Sequence, residues 1–337
     1  MKRLFFVLFI LFIIALSGCG GGPIAAGSIT TTTTTSVTPS ADNYTWTAQT
    51  SAGSRNWNSI ASSSDGTSLA ASVYGGYIYT STNSGSTWSV KSAAGSRSWY
   101  SIASSSDGTK LAAAVYVGYI YTSADSGSTW TAQTSAGSRS WYSIASSSDG
   151  TKLAAVDYGG YIYTSADSGS TWTAQTSAGS RSWYSIASSS DGTKLAAVDY
   201  GGYIYASTNS GSSWTAQTSA GIENWKSITS SSDATVLVAA VYSGYIYIST
   251  NSGSTWTAQT NVGTGNWHSI ATSPDGTAFA ATVYGGYIYT SKDSGSTWIT
   301  QTNAGSRNWY SIVLSSYGTK FAAVDYGGYI YTGTSNY

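Results

Sequence analysis

One period governs this chain. Tryptophan recurs at 46, 88, 130, 172, 214, 256 and 298, and again at 57, 99, 141, 183, 225, 267 and 309; both series step by 42 residues. These positions account for all 14 tryptophans of the 337-residue chain. Self-similarity at such a period marks an architecture made by repeating one supersecondary unit, because a single unit cannot bury its own apolar face and stacked neighbours can.

The copy at residues 141–182 shows what the unit is. It reads WYSIASS, an Asp149-Gly150 turn, KLAAVDY, a Gly159-Gly160 turn, YIYTS, the turn ADSGS and TWTAQT. Short runs rich in Trp, Tyr, Ile, Val and Thr, bounded by Asp-Gly, Gly-Gly and Ser-Gly pairs, predict β-hairpins, and no helical period survives between the turns. Four strands in a unit of this length is the blade pattern of a β-propeller. The expected fold is therefore all-β, a seven-bladed β-propeller of four-stranded antiparallel blades over residues 42–337. Seven first strands begin at Trp57 through Trp309, but only six complete fourth strands follow, at Trp88 through Trp298, and the next tryptophan would fall beyond Tyr337. The segment Trp46–Thr50 matches the missing strand. It is predicted to pair with Tyr329–Thr332, so that the N-terminal strand completes the last blade and no sheet edge stays open. Both faces of each blade are covered by neighbours, which removes the need for polar-out alternation. Ser, Ala and Gly are expected at the crowded axis, Trp and Tyr in the wider gaps outside. Of the three prolines, Pro274 falls at an expected turn.

The N-terminus is of another kind. Lys2 and Arg3 precede an apolar run from Leu4 to Leu16 and then Ser17, Gly18 and Cys19, the pattern of an export signal too short to span a bilayer permanently. The stretch Leu16-Ser17-Gly18-Cys19 resembles the bacterial lipobox. That resemblance implies a signal peptide at 1–18 and a lipidated Cys19, the only cysteine in the chain. Residues 20–41 are rich in Gly, Ser and Thr and carry no charge, so 19–41 is expected to be the lipidated cysteine and a flexible tether. The membrane is then a partner through the lipid, and the location is the bacterial cell envelope, on its periplasmic or extracellular side. Removal of Lys2 and Arg3 leaves 12 basic against 14 acidic residues, a balance that argues against nucleic acid as a partner.

The turn before each fourth strand reads STNSGSTW at 81–88 and 249–256, SADSGSTW at 123–130 and 165–172, STNSGSSW at 207–214 and SKDSGSTW at 291–298. These turns resemble the Asp-box of the bacterial neuraminidase repeat. A degenerate SADNYTW at 40–46 stands where the seventh would be. The resemblance implies a propeller of the type shared by sialidases, sortilin-type receptors, some glucan hydrolases and photosystem assembly factors, whose chemistry differs although the fold does not. It also implies that Asn83, Asp125, Asp167, Asn209, Asn251 and Asp293 are structural, on the face away from any site. An Asp or Asn side chain bonding nearby backbone, with Gly at positive φ, fits that role. A calcium loop would lose ligand charge wherever Asn replaces Asp, so no metal and no cofactor are expected.

Candidate site residues lie in the loops of the opposite face. One set of loops carries Arg55, Arg97, Arg139, Arg181 and Arg307, each two residues before a first-strand tryptophan. The other carries Tyr74, Tyr116, Tyr158, Tyr200, Tyr242, Tyr284 and Tyr326, preceded by Asp157, Asp199 and Asp325 in three copies. Two readings stand side by side. Arginine forks and aromatic faces suit carboxylates, hydroxyls and sugar rings; equally, each arginine could pair with a neighbouring Asp or stack on a Tyr to cement adjacent blades, with no ligand at all. Near-identical loops do not readily supply the two unlike carboxylates that glycoside hydrolysis needs. Glu223 and His268 are the sole residues of their kinds, and His268 reads as a strand-surface substitution. The expected function is a non-catalytic, monomeric interaction module on the cell surface, binding glycans or a protein partner through the funnel face. The alternatives are a sialidase-like glycoside hydrolase and a protein-assembly factor.

Overall fold

A computed structural model describes residues 44–335, so the expected signal peptide, Cys19 and the tether lie outside the described residues. The described chain forms 28 strands, β1 to β28 in order. After β1 (Tyr44–Gln49), the first full repeat supplies β2 (Arg55–Ser62), β3 (Leu69–Gly76), β4 (Ile78–Ser81) and β5 (Ser89–Lys91). The next begins with β6 (Arg97–Ser104). The last ends with β27 (Lys320–Gly328) and β28 (Ile330–Ser335). β1 lies antiparallel to β28, with Thr47 opposite Thr332 and Gln49 opposite Ile330.

The expectation of seven separate four-stranded blades is corrected by the pairing. The strands form one continuous 28-stranded sheet. Fourteen inner strands close a ring and fourteen outer strands stand on it in pairs, so each repeat shares hydrogen bonds with the next. β3 pairs with β2 only as far as Val73, opposite Trp57. Its end then crosses over: Tyr74 lies opposite Ser98 and Gly76 opposite Arg97, both in β6. The crossing recurs around the ring to β27, whose Tyr326 and Gly328 lie opposite Asn56 and Arg55 of β2. The physical cause is that a strand splaying away from its hairpin partner leaves backbone groups unpaired, and these find the neighbouring repeat instead.

Two further rings of bonds join the repeats. Midway down, Ser59 Oγ accepts the Ile102 amide at 3.2 Å, Ser101 that of Ile144, and so on to Ser311, which accepts the Ile60 amide at 3.3 Å. At the far end, the Ser64 amide donates to the Ser106 carbonyl and the Ser106 amide to the Ser148 carbonyl, each at 2.8 Å. Pro274 accepts in this chain from Ser232 but has no N–H with which to pass it on.

The core follows the same logic. Trp57 is 0% exposed and packs with Ile60, Leu69 and Val73 of its own repeat against Ala322, Val324 and Ile330 of the last. Clusters of this kind occupy the other junctions between repeats. A repeat alone would leave its largest apolar side chain in water, which is why the tryptophan period and the ring are one fact.

Candidate functional site

The first strand of each repeat lines a central channel, and a β-bulge decides what faces it. Trp57 is opposite Val73 and Ser59 opposite Ser72, so Asn58 is the extra residue; the same shift recurs in the other six repeats. A bulge bends the strand and re-aims a side chain. Here the re-aimed residues are Asn58, Tyr100, Tyr142, Tyr184, Lys226, His268 and Tyr310. Together with the serines that follow them, they line a cavity of about 130 Å³ on the ring axis. The expectation of only small residues at the axis is thus half right: serine is there, and so is a plug of tyrosine, lysine and histidine.

The plug is tightly knit. Tyr100 and Tyr142 have ring centroids 4.5 Å apart, Tyr142 and Tyr184 5.1 Å, and His268 and Tyr310 4.2 Å. Lys226 Nζ donates to the Tyr184 hydroxyl and lies 4.2 Å above a Tyr184 ring centroid. Burial lowers the Lys226 ammonium to about 8 and pushes the Tyr184 hydroxyl up to about 12. His268 sits inside this plug and not on an exposed strand surface. Burial, reinforced by the charge of Lys226, holds it down to about 3, so the ring is neutral, and Nδ1 lies 2.7 Å from the Tyr310 carbonyl oxygen. None of the lining residues carries a carboxylate.

Above the plug stand the tyrosines of the second-to-third-strand loops. Tyr158 stacks on Tyr142 at 4.6 Å and Tyr326 on Tyr310 at 4.6 Å, while Tyr158 and Tyr284 remain 40% exposed. Tyr200 lies 5.7 Å from Tyr184. Two tiers of aromatic rings therefore lead from the open face into the channel.

The arginines are farther out, and their side-chain contacts lie within their own repeats, so they brace single repeats and do not cement adjacent ones as expected. Each Nε donates to the carbonyl three residues back, as Arg55 does to Ala52 at 2.9 Å. Each guanidinium lies over the third-strand tyrosine: Arg55 over Tyr79, Arg97 over Tyr121, Arg139 over Tyr163, Arg181 over Tyr205 and Arg307 over Tyr331, at 4.5–4.8 Å. Where the second strand carries Asp, an ion pair is added: Arg139–Asp157 at 3.6 Å, Arg181–Asp199 at 3.8 Å and Arg307–Asp325 at 3.9 Å. Burial raises these three carboxyls, and the arginine opposite each one offsets part of the rise. Repeats without the arginine are rebuilt. Trp225 and Trp267 donate to Gly202 and Gly244 of the preceding repeat, whereas Trp57 and Trp99 donate to Gly53 and Gly95 of their own loop.

On the opposite face the Asp-box-like turns are closed by their own side chains. Asp125 Oδ1 accepts the Thr129 amide at 2.8 Å and Oδ2 the Thr129 hydroxyl at 2.7 Å. In the Asn83 turn Oδ1 accepts the Thr87 amide and Nδ2 donates to the Thr87 hydroxyl, both at 2.9 Å. A threonine or serine hydroxyl both gives and takes, so Asp167, Asn209 (with Ser213), Asn251 and Asp293 serve alike. Among the described residues no three His, Cys, Asp or Glu side chains gather in a way that could hold a metal ion.

No protein-family profile and no curated protein sequence matches this chain. Solved structures do. The chain is similar to YCF48 from Cyanidioschyzon merolae (TM-score 0.67, 17% identity, covering 85% of this chain and 98% of that one). It is also similar to YCF48 bound to D1 peptide (TM-score 0.69, 15% identity, 88% and 98%). A third likeness is to the GH74 xyloglucanase of Xanthomonas campestris (TM-score 0.68, 14% identity), where the match covers 87% of this chain and 54% of that one. All three are β-propeller proteins, and at these identities what is shared is the fold.

Proposed function

We propose that the protein is a non-catalytic interaction module that takes a protein or peptide segment across the funnel face. One observation carries this reading. Of the ten large apolar side chains that stand exposed among the described residues, eight lie in the funnel-face loops: Tyr77, Val117, Tyr119, Tyr158, Ile222, Tyr242, Tyr284 and Tyr287. Of the other two, Val90 lies in the outer strand β5 and Tyr317 in the turn leading into β27, on the opposite face. Apolar surface concentrated on one face marks an interaction site, and tyrosine suits such surfaces because it offers large, stiff contact area with a polar tip. A propeller of the same type has been solved with a peptide bound, which supports a protein partner. Tyr158, Tyr200 and the rim arginines, with Asp157, Asp199 and Asp325 holding three of them, belong to this proposed contact zone. Export and anchoring through Cys19 form part of the same proposal, since a tethered module presents its face to partners at the envelope.

A glycan ligand is the second reading, favoured by exposed tyrosine rings on which a sugar could stack. A peptide library and a glycan array probed with the parent and with Tyr158→Ser/Tyr284→Ser/Ile222→Ser separate the two. Peptide binding lost in the variant supports the proposal. Glycan binding lost in the variant favours the second reading, and binding that survives the changes removes the funnel face from both.

A further inference from the structure

The axial cavity holds one positive charge and no negative one. Lys226 enters it from a single repeat, at the position occupied by tyrosine in four others. Around it stand hydroxyls whose acceptor capacity is partly spent. Each channel serine, from Ser59 through Ser185 to Ser311, uses a lone pair on the amide of the next repeat's isoleucine, leaving its O–H to donate. Tyr184 accepts from Lys226 and is hydrogen-bonded to Tyr100 as well. The serine O–H groups thus ring the cavity as donors beside its single ammonium. An ammonium in such a place is costly unless a counter-charge joins it, and no carboxylate of the ring is placed to supply one.

We infer that the axial cavity is an anion site, in which Lys226 and the surrounding serine and tyrosine hydroxyls bind one small oxyanion group, either a free inorganic oxyanion or a carboxylate. The volume of about 130 Å³ is roughly that of four water molecules, enough for phosphate, sulfate or acetate. Recognition is by hydrogen-bond donors set in a ring, in the manner of charge-assisted contacts to oxyanions elsewhere. The inference is independent of what the funnel face binds. The other groups facing Lys226, namely His268, Tyr100, Tyr142, Tyr184 and Tyr310, stay neutral across the pH range in which the lysine titrates: burial holds the histidine down and the tyrosines up. Anion affinity therefore falls as pH rises through about 8, where Lys226 loses its proton.

Calorimetric titration of the purified protein with sodium phosphate, sodium sulfate and sodium acetate at pH 6.5 tests this, the three salts separating inorganic oxyanion from carboxylate. Saturable one-site binding is expected, weakened about ten-fold or more in Lys226→Met and retained in Lys226→Arg. No saturable heat with any of the salts up to about 50 mM, far above the millimolar range expected for one such contact, overturns the inference, and so does equal binding by Lys226→Met. Should Lys226→Met not fold, NMR titration of the Lys226 ammonium in the parent decides: its pKa must rise when phosphate is added, and an unchanged titration curve refutes the site.

Discussion

Val117 is a residue in the wrong conformation for its type, and replacing it should strengthen the protein. The first position of the second-to-third-strand turn is glycine in five repeats, at φ between 71° and 80°, but Val117 holds it at φ 55° and Ser243 at φ 59°. A left-handed backbone costs an L-residue roughly 1–2 kcal/mol, and a β-branched side chain does nothing to relieve it. Val117 is 67% exposed, so little burial is lost with its side chain. Glycine's extra freedom in the unfolded chain returns about 0.4–1 kcal/mol of the gain. Val117→Gly should therefore stabilise by about 0.5–1 kcal/mol, a rise of about 1–3 °C in melting temperature for a chain of this size. The reverse change, Gly159→Val, probes the same term, because a Cβ there meets no atom within 4 Å and only the backbone objects. Thermal and urea unfolding of both variants beside the parent gives the answer. A Val117→Gly protein that melts at or below the parent, together with a neutral Gly159→Val, would show that φ does not set the stability of this turn. A stabilised Val117→Gly protein, by contrast, would give the exposed valine meaning: a strained side chain kept on the proposed contact face is one whose contact is worth its strain.

Three other outcomes are expected. Trp141→Ala removes a side chain that is 0% exposed between two repeats and should cost about 3–5 kcal/mol in chemical denaturation; a loss below about 1 kcal/mol would contradict the shared core. Deleting Tyr44–Gln49 leaves β28 without its outer partner and bares the apolar cluster around Trp309 and Tyr331, so the melting transition should fall and broaden, and an unchanged transition would show that ring closure is not needed. Asp65, Asp107, Asp191 and Asp233 accept bonds from Ser and Thr side chains and from backbone, which lowers each carboxyl from 3.8 to about 2. Their contribution is complete above the ordinary carboxylate range and fades as pH falls toward 2. Changing all four to Asn should therefore flatten the decline of melting temperature between pH 4 and pH 2, and an unaltered decline would assign acid lability elsewhere.

The sequence by itself determined the parts and their order. Tryptophan every 42 residues, hairpin turns at Asp-Gly and Gly-Gly, and one surplus strand at the front were enough to place strands and turns, because these depend on local backbone preference and on a period that only a stack of copies can satisfy. The pairing of Trp46–Thr50 with Tyr329–Thr332 follows from the same count, and the structure shifts and lengthens it to Tyr44–Gln49 with Ile330–Ser335. Sequence also supplied the arginines, the aspartates and the loops that bear them, but it left open whether these side chains reach outward or lie down. That was decided in three dimensions: the guanidinium lies over Tyr163 in one repeat and Tyr205 in the next because the third strand brings that ring beneath the loop.

Two matters were beyond any reading of the repeat taken singly. The crossing of Tyr74 and Gly76 onto the next repeat makes one sheet out of what looked like seven, and it arises from strand splay, which no single repeat contains. The channel plug was missed for the same kind of reason. Lys226 and the residues after each tryptophan look like ordinary strand positions until the bulge at that site turns them to the axis, where seven copies meet. The sole visible signal was that Asn, Lys and His interrupt a run of tyrosine at one fixed place in the period. Local chemistry writes strands and turns into a sequence, whereas an axis exists only once the ring has closed; what gathers there was settled by tertiary structure alone.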